Sequence, residues 1–308
     1  MNQIKKCVKM LNPFNNMDEM PAVVYMVKKV LAFCVIFMVS ALVAEGIVIA
    51  GLLFNGYNFM QGEMPGANVM NLMTYYGYIV HIAITILFWK IIEKRPLKSM
   101  GFNKRVLDYI LGTGIAIVLL TVIMVAICLL GKSSYMGLGK NTDWLYLLAL
   151  LGGFIVQGMA EETMCRGFLM HALDRKIPTV LTILVSATAF AYPHFSTLFE
   201  AKLEYAIVGT INLYFIATIF SLLVLWRKNI WVACGLHSIW NFILYGVFGL
   251  SVSGSGENAS GVICFQVDNE SIINGGQYGI EASIVTAIVL GVVIVILAKC
   301  YQKSKVEK

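Results

Sequence analysis

Eight stretches of 20 or more mostly apolar residues, separated by short charged or Gly/Pro/Asn-rich connections, account for most of this chain. They fall at about 30–54, 69–89, 106–131, 144–172, 178–199, 205–226, 230–250 and 280–299. A bilayer's hydrocarbon core, about 30 Å thick, is crossed by about 20 helical residues. Backbone at that depth must satisfy its own hydrogen bonds, which leaves helices or closed barrels. Runs of this length predict an all-α polytopic membrane protein with about eight transmembrane helices. Composition agrees: 13% of residues are charged and the mean hydropathy is +0.79, where a soluble domain carries about a quarter charged residues. The first run is long enough to span and no small-residue cleavage site follows it, so no cleavable leader is expected.

The cations fix an expected orientation. Of 23 Lys and Arg, 20 fall in the N-terminal segment, the C-terminal tail and every second connection, with Arg166 counted among them. The opposite side holds only Lys132, Lys140 and Lys202. Positive charge marks cytoplasmic loops, so both termini are expected to be cytoplasmic. The excess sits in loops, so the net charge of +6 does not point to nucleic acid. The chain divides into a cytoplasmic N-terminal segment (1–29), three spans (30–143), a core of four spans (144–250), an external loop (251–279), and a last span with a basic tail (280–308). The external loop holds two N-x-S sequons, at Asn258 and Asn269. Seven cysteines show no CxxC spacing, which makes disulfide and metal-cluster readings poor.

Ionisable side chains inside spans are costly and mark function. Glu45 and His81 are each alone in their helices, and either could pair across the bundle or sit near an interface. His171 reads as interfacial. The fourth, fifth and seventh spans instead carry patterns. In Glu161-Glu162-Thr163-Met164-Cys165-Arg166, Glu162 and Arg166 are four apart and can pair on one helix face. Glu161 is left free for other work. In Phe190-Ala191-Tyr192-Pro193-His194, the proline opens a bend beside the histidine. In His237-Ser238-Ile239-Trp240-Asn241, His237 and Asn241 share a face. Counted from the cytoplasmic ends, His194 lies roughly 24 Å deep, Glu161 roughly 16–22 Å and His237 roughly 10–15 Å. They meet only if helices tilt or bend.

A carboxylate in a low-dielectric site can take a proton from water. An imidazole can share that water, and a second imidazole with an amide can stabilise an oxyanion. Glu161 with His194, opposite His237 with Asn241, supplies those parts for amide hydrolysis. No Ser or Cys carries a nucleophile motif, and Cys165 is expected to point away from Glu161. The rival is zinc, which would need His194, His237 and a Glu to converge within about 2 Å of one point. There is no HExxH.

The three motifs, EExxxR, FxxxH and HxxxN, each on its own span, resemble the CPBP (Abi) family of intramembrane proteases. That family includes type II CAAX prenyl proteases and bacterial bacteriocin-processing and self-immunity proteins. The resemblance covers about 144–250. It implies a membrane protease with a cavity open to the cytoplasm. Glu161 and His194 would activate water, His237 and Asn241 would hold the oxyanion, and Glu162 and Arg166 would support them. It further implies no required cofactor, with zinc as the alternative label, and a peptide or membrane-protein substrate met in the bilayer, in a multi-pass protein of a bacterial cytoplasmic membrane. A transporter or a non-catalytic scaffold would keep the same charges, but a transporter gives no reason for HxxxN.

Overall fold

The computed structural model describes residues 8, 10, 12, 20–58, 61–140, 142–254 and 261–306. Lys5, Lys6, Lys9, Lys308, Cys7 and the sequon at Asn258 lie outside them. Eight apolar helices carry the described chain. They are α1 (Ala22–Phe54), α2 (Ala67–Ile91), α3 (Asp108–Leu129), α4 (Trp144–Leu173), α5 (Thr179–Glu200), α6 (Leu203–Arg227), α7 (Trp231–Val247) and α8 (Ile284–Val306). All but α7 are long and apolar enough to cross a membrane. The expected ends hold to within a few residues except at α1, which begins eight positions earlier than the expected start at 30, and at α8, which ends seven positions beyond 299. Lys28 and Lys29 are buried in its first turns, where Lys29 is ion-paired to Glu93.

Local chemistry sets the helix boundaries. The Asp143 side chain caps α4 by accepting from the Tyr146 backbone N–H at 3.0 Å. Pro178 precedes α5, and Lys228, in the left-handed conformation at φ 57°, ends α6.

The cationic connections gather at one end of the bundle. There, Tyr25 donates to the Ala172 carbonyl (2.8 Å), Arg227 clamps Asp108 through two hydrogen bonds (2.7 and 3.1 Å), and Asn103 donates to the Lys228 carbonyl (3.0 Å). Arg166 does not belong with them: it is fully buried inside α4, so it is a core residue and not a loop charge. The opposite end carries a feature absent from the helix-only expectation. Two strands, β1 (Ser133–Leu138) and β2 (Ile263–Val267), pair antiparallel with Ser133 facing Val267 and Leu138 facing Ile263. The 251–279 segment is therefore partly folded. Asn274 ties it to the Lys132 carbonyl at 3.1 Å, and Glu270 ties it to Lys202 at 2.6 Å.

The short α7 is enclosed by its neighbours, which is why it need not match the bilayer's thickness: its backbone is satisfied within itself and its face is packed on protein. Val232, Ala233, Cys234 and Leu236 are fully buried. Two glycines make that approach possible. A Cβ on Gly112 would stand 2.0 Å from the Val232 carbonyl oxygen, and one on Gly235 would stand 2.1 Å from the Tyr109 carbonyl oxygen. Small residues let helix backbones approach in this way where there is no water to drive association. Replacing Gly235 by Val should separate α3 from α7. The expected outcome is a loss of at least about 1–3 kcal/mol, read as a lower unfolding temperature in detergent. An unchanged unfolding temperature would contradict the close approach.

Candidate active site

The site is built where α4, α5, α6 and α7 meet. α4 is regular to Glu162 and then widens into π-helical turns over Thr163–Met170. Single stretches of this geometry recur at functional sites. Glu162 and Arg166 lie on this transition and are fully buried. Glu162 Oε1 accepts from Arg166 Nη1 at 2.8 Å, as the four-residue spacing predicts. The guanidinium also donates from Nη2 to the Ala217 carbonyl on α6 at 3.0 Å. It stands over the rings of Phe190 (4.8 Å) and Phe220 (5.0 Å). Two aromatic faces and two acceptors therefore replace part of the water that a buried cation would otherwise need, and Nε is left without a partner. The aromatic rings and α6 enclose the guanidinium.

His237 joins this pair, which sequence did not anticipate. Its Nδ1 lies 3.2 Å from Glu162 Oε1, and its ring stacks on Phe220 (5.1 Å, 20°) with its edge near Phe190. A carboxylate oxygen only accepts, so Nδ1 carries a proton and His237 Nε2 is the free position. That nitrogen lies 3.8 Å from Glu161 Oε2. Glu161 and His237 thus meet despite their different counted depths. Counting along separate straight helices does not give this contact between α4 and α7.

Glu161 is partly exposed, with 17% of its side chain accessible. Its Oε1 accepts from Gln157 Nε2 at 3.2 Å, and Gln157 Oε1 accepts in turn from Asn241 Nδ2 at 3.3 Å. Gln157 thereby ties the EExxxR motif to the HxxxN motif. It was missed in the sequence, though a signal was present: it is the single amide in the apolar run before Glu161 and stands four residues ahead, on the same face.

His194 sits on a 3-10 turn, Tyr192–His194, that Pro193 imposes on α5. Its Nδ1 donates to the Phe190 carbonyl at 3.1 Å, so Nε2 keeps its lone pair and can accept. It forms no hydrogen bond with Glu161, His237 or Asn241, but shares a cavity with each. One cavity, about 180 Å³, has Glu161, His194, Gln157 and His81 in its wall. The other, about 230 Å³, has His194, Gln157, His237 and Asn241. Gln157, Phe190, Pro193 and His194 line both. Cys165 lines the first cavity with Glu161, contrary to expectation. The two are four residues apart, and that spacing places side chains on one face.

No residue of the cationic connections lines either cavity. The larger one is walled instead by Thr197, Val252, Ser253 and Glu281 from the opposite end. The wall of this cavity therefore reaches toward the end that carries β1 and β2. Glu281 is a second residue sequence reading missed. Its two oxygens accept from Trp240 Nε1 (3.0 Å) and the Ser253 backbone N–H (2.6 Å), which joins the segment before α8 to α7.

Among the described residues no three His, Cys, Asp or Glu side chains gather closely enough to hold an ion. The Nδ1 atoms of His194 and His237 hydrogen-bond a carbonyl and a carboxylate, which leaves both Nε2 atoms open.

Residues 143–243 match the family model described as type II CAAX prenyl endopeptidase Rce1-like. The matched segment is about a third of the chain, and over it the chain is similar to CAAX/CPBP-family intramembrane proteases. All three motifs fall within the matched segment, which begins beside the cap of α4 and ends inside α7. No curated protein matches the chain.

Arg166→Met should leave Glu162 buried without its cation, a loss of about 3–5 kcal/mol. Adding Glu162→Gln should recover much of it. Unfolding temperatures of the two variants check this, and a double variant no more stable than Arg166→Met would contradict the pairing account.

Proposed function

We propose that the protein is an intramembrane endopeptidase that hydrolyses a peptide bond in a membrane-associated peptide or protein. The observation that carries this reading is the Gln157 amide. It joins Glu161, the partly exposed carboxylate, to Asn241, a donor in the adjoining cavity that His194 also walls.

In this reading water sits between Glu161 and His194 Nε2. Glu161 takes its proton as the water oxygen bonds to the substrate carbonyl carbon. The resulting oxyanion is met by Asn241 Nδ2 and by His237 Nε2. For Nε2 to donate while Nδ1 faces Glu162, the His237 ring must carry both protons. The C–N bond then breaks, and the proton held by Glu161 passes to the leaving amine. Glu162 and Arg166 act as positioning residues: they hold His237 and the α4 turn. The substrate class is an apolar peptide or membrane protein presented within the bilayer, of which bacteriocin precursors are one kind. The proposed location is a bacterial cytoplasmic membrane with both termini inside. Where the cations gather supports that orientation.

The test is cleavage by purified protein in lipid vesicles, using a quenched library of apolar peptides. His194→Ala and His237→Ala should each lower the rate by about 10²–10⁴-fold, His194→Ala with an unfolding temperature near wild type. Removing metal with a chelator should leave the wild-type rate unchanged. Wild-type rates in His194→Ala would contradict the mechanism, as would loss on chelation with recovery on adding zinc. A non-catalytic scaffold predicts no cleavage by any form.

A further inference from the structure

A third cavity, about 590 Å³, lies between α1 and α2. Its wall is mostly apolar and includes Ile49, Met70 and Met73. Glu45 is the exception. It is exposed, lines this groove, and makes no hydrogen bond or ion pair with any described residue. Phe54, the end of α1, is nine positions on, about 14 Å along the axis. Apolar residues flank Glu45 on both sides, so its carboxylate lies within hydrocarbon depth, where an unpartnered charge is costly.

The groove is continuous with the site. Phe37, Tyr78 and His81 line both this groove and the cavity that holds Glu161. His81 forms the neck. It is 6% exposed, its ring stacks on Tyr78 at 5.0 Å, and its Nδ1 is buried with no hydrogen-bond partner. An apolar trough with one unpaired carboxylate and an unpartnered imidazole at its inner end is complementary to a particular occupant.

We infer that the α1–α2 groove seats an apolar stretch of the substrate peptide that carries a lysine or arginine. The cation pairs with Glu45, and a backbone group of the peptide meets His81 as the chain passes into the cavity of Glu161. This deepens the protease reading and rests on it. A lipid tail would fill the trough but set hydrocarbon against the carboxylate, whereas a cationic peptide neutralises it. The spacing adds a register. Phe37 precedes Glu45 by eight positions on α1, about 12 Å. An extended chain covers that distance in about four residues. The substrates are therefore membrane-associated peptides with a basic residue about four positions from where the chain enters the cavity of Glu161.

The test uses the Glu161→Gln protein in phosphatidylcholine nanodiscs, so that capture is read without cleavage. The probes are leucine/alanine peptides of about 20 residues, each with a photoreactive leucine analogue. One carries a central lysine, one a glutamine and one a glutamate. The lysine peptide should be cross-linked about tenfold more than the glutamine peptide, at residues 41–52 or 70–81. Adding Glu45→Gln should reduce that preference to below about twofold at an unchanged unfolding temperature, and Glu45→Lys should transfer it to the glutamate peptide. Equal capture of the lysine and glutamine peptides would overturn the inference. So would an unchanged preference in Glu45→Gln, or a bound lipid in native mass spectrometry that neither peptide displaces. Lysine preference with a wild-type protein that cleaves nothing would sink the protease reading alone. Cleavage without lysine preference would sink the groove alone.

Discussion

A guanidinium and a carboxylate buried together at hydrocarbon depth constrain everything around them. Glu162 and Arg166 are both inaccessible to solvent. Neither can be left alone there, since an unpaired buried ion costs several kcal/mol. Their mutual bond is only part of the solution. Arg166 also needs the Ala217 carbonyl of α6 and the faces of Phe190 on α5 and Phe220 on α6. Glu162 also faces His237 on α7. One turn of α4 thereby fixes three other helices. Glu161, the adjacent residue, is the one carboxylate of the motif that faces a cavity.

The helix geometry serves the same end. α4 and α7 both pass into π-helical turns, over Thr163–Met170 and Phe242–Val247. α5 tightens into a 3-10 turn at His194. Each irregularity lies in or just after a motif. The glycine contacts at Gly112 and Gly235 draw α7 against α3, while His237 on α7 meets Glu162 on α4.

The number of helices, the grouping of cations and the four-residue pairing of Glu162 with Arg166 were legible in the sequence, because each depends on local spacing. The three motifs were legible for the same reason. What escaped depends on contacts between helices. Glu162 with His237, and Gln157 with Asn241, join residues that are 75 and 84 positions apart, and no local period encodes them. Glu281 looked like the start of a span because its partners, Trp240 and Ser253, lie on other segments. The pairing of β1 with β2 was hidden in a stretch whose Gly and Ser content reads as loop. The cavity walls combine residues of several helices with Val252, Ser253 and Glu281, which residue counting could not give.

The central claim is that Glu161 activates water for peptide-bond hydrolysis. Its most direct measurement compares the termini of membrane proteins and peptides in cells producing the wild-type protein and Glu161→Gln at matched levels. A set of new termini present with wild type and absent with Glu161→Gln is predicted. The same termini in both, with the variant folded in the membrane, would contradict the claim.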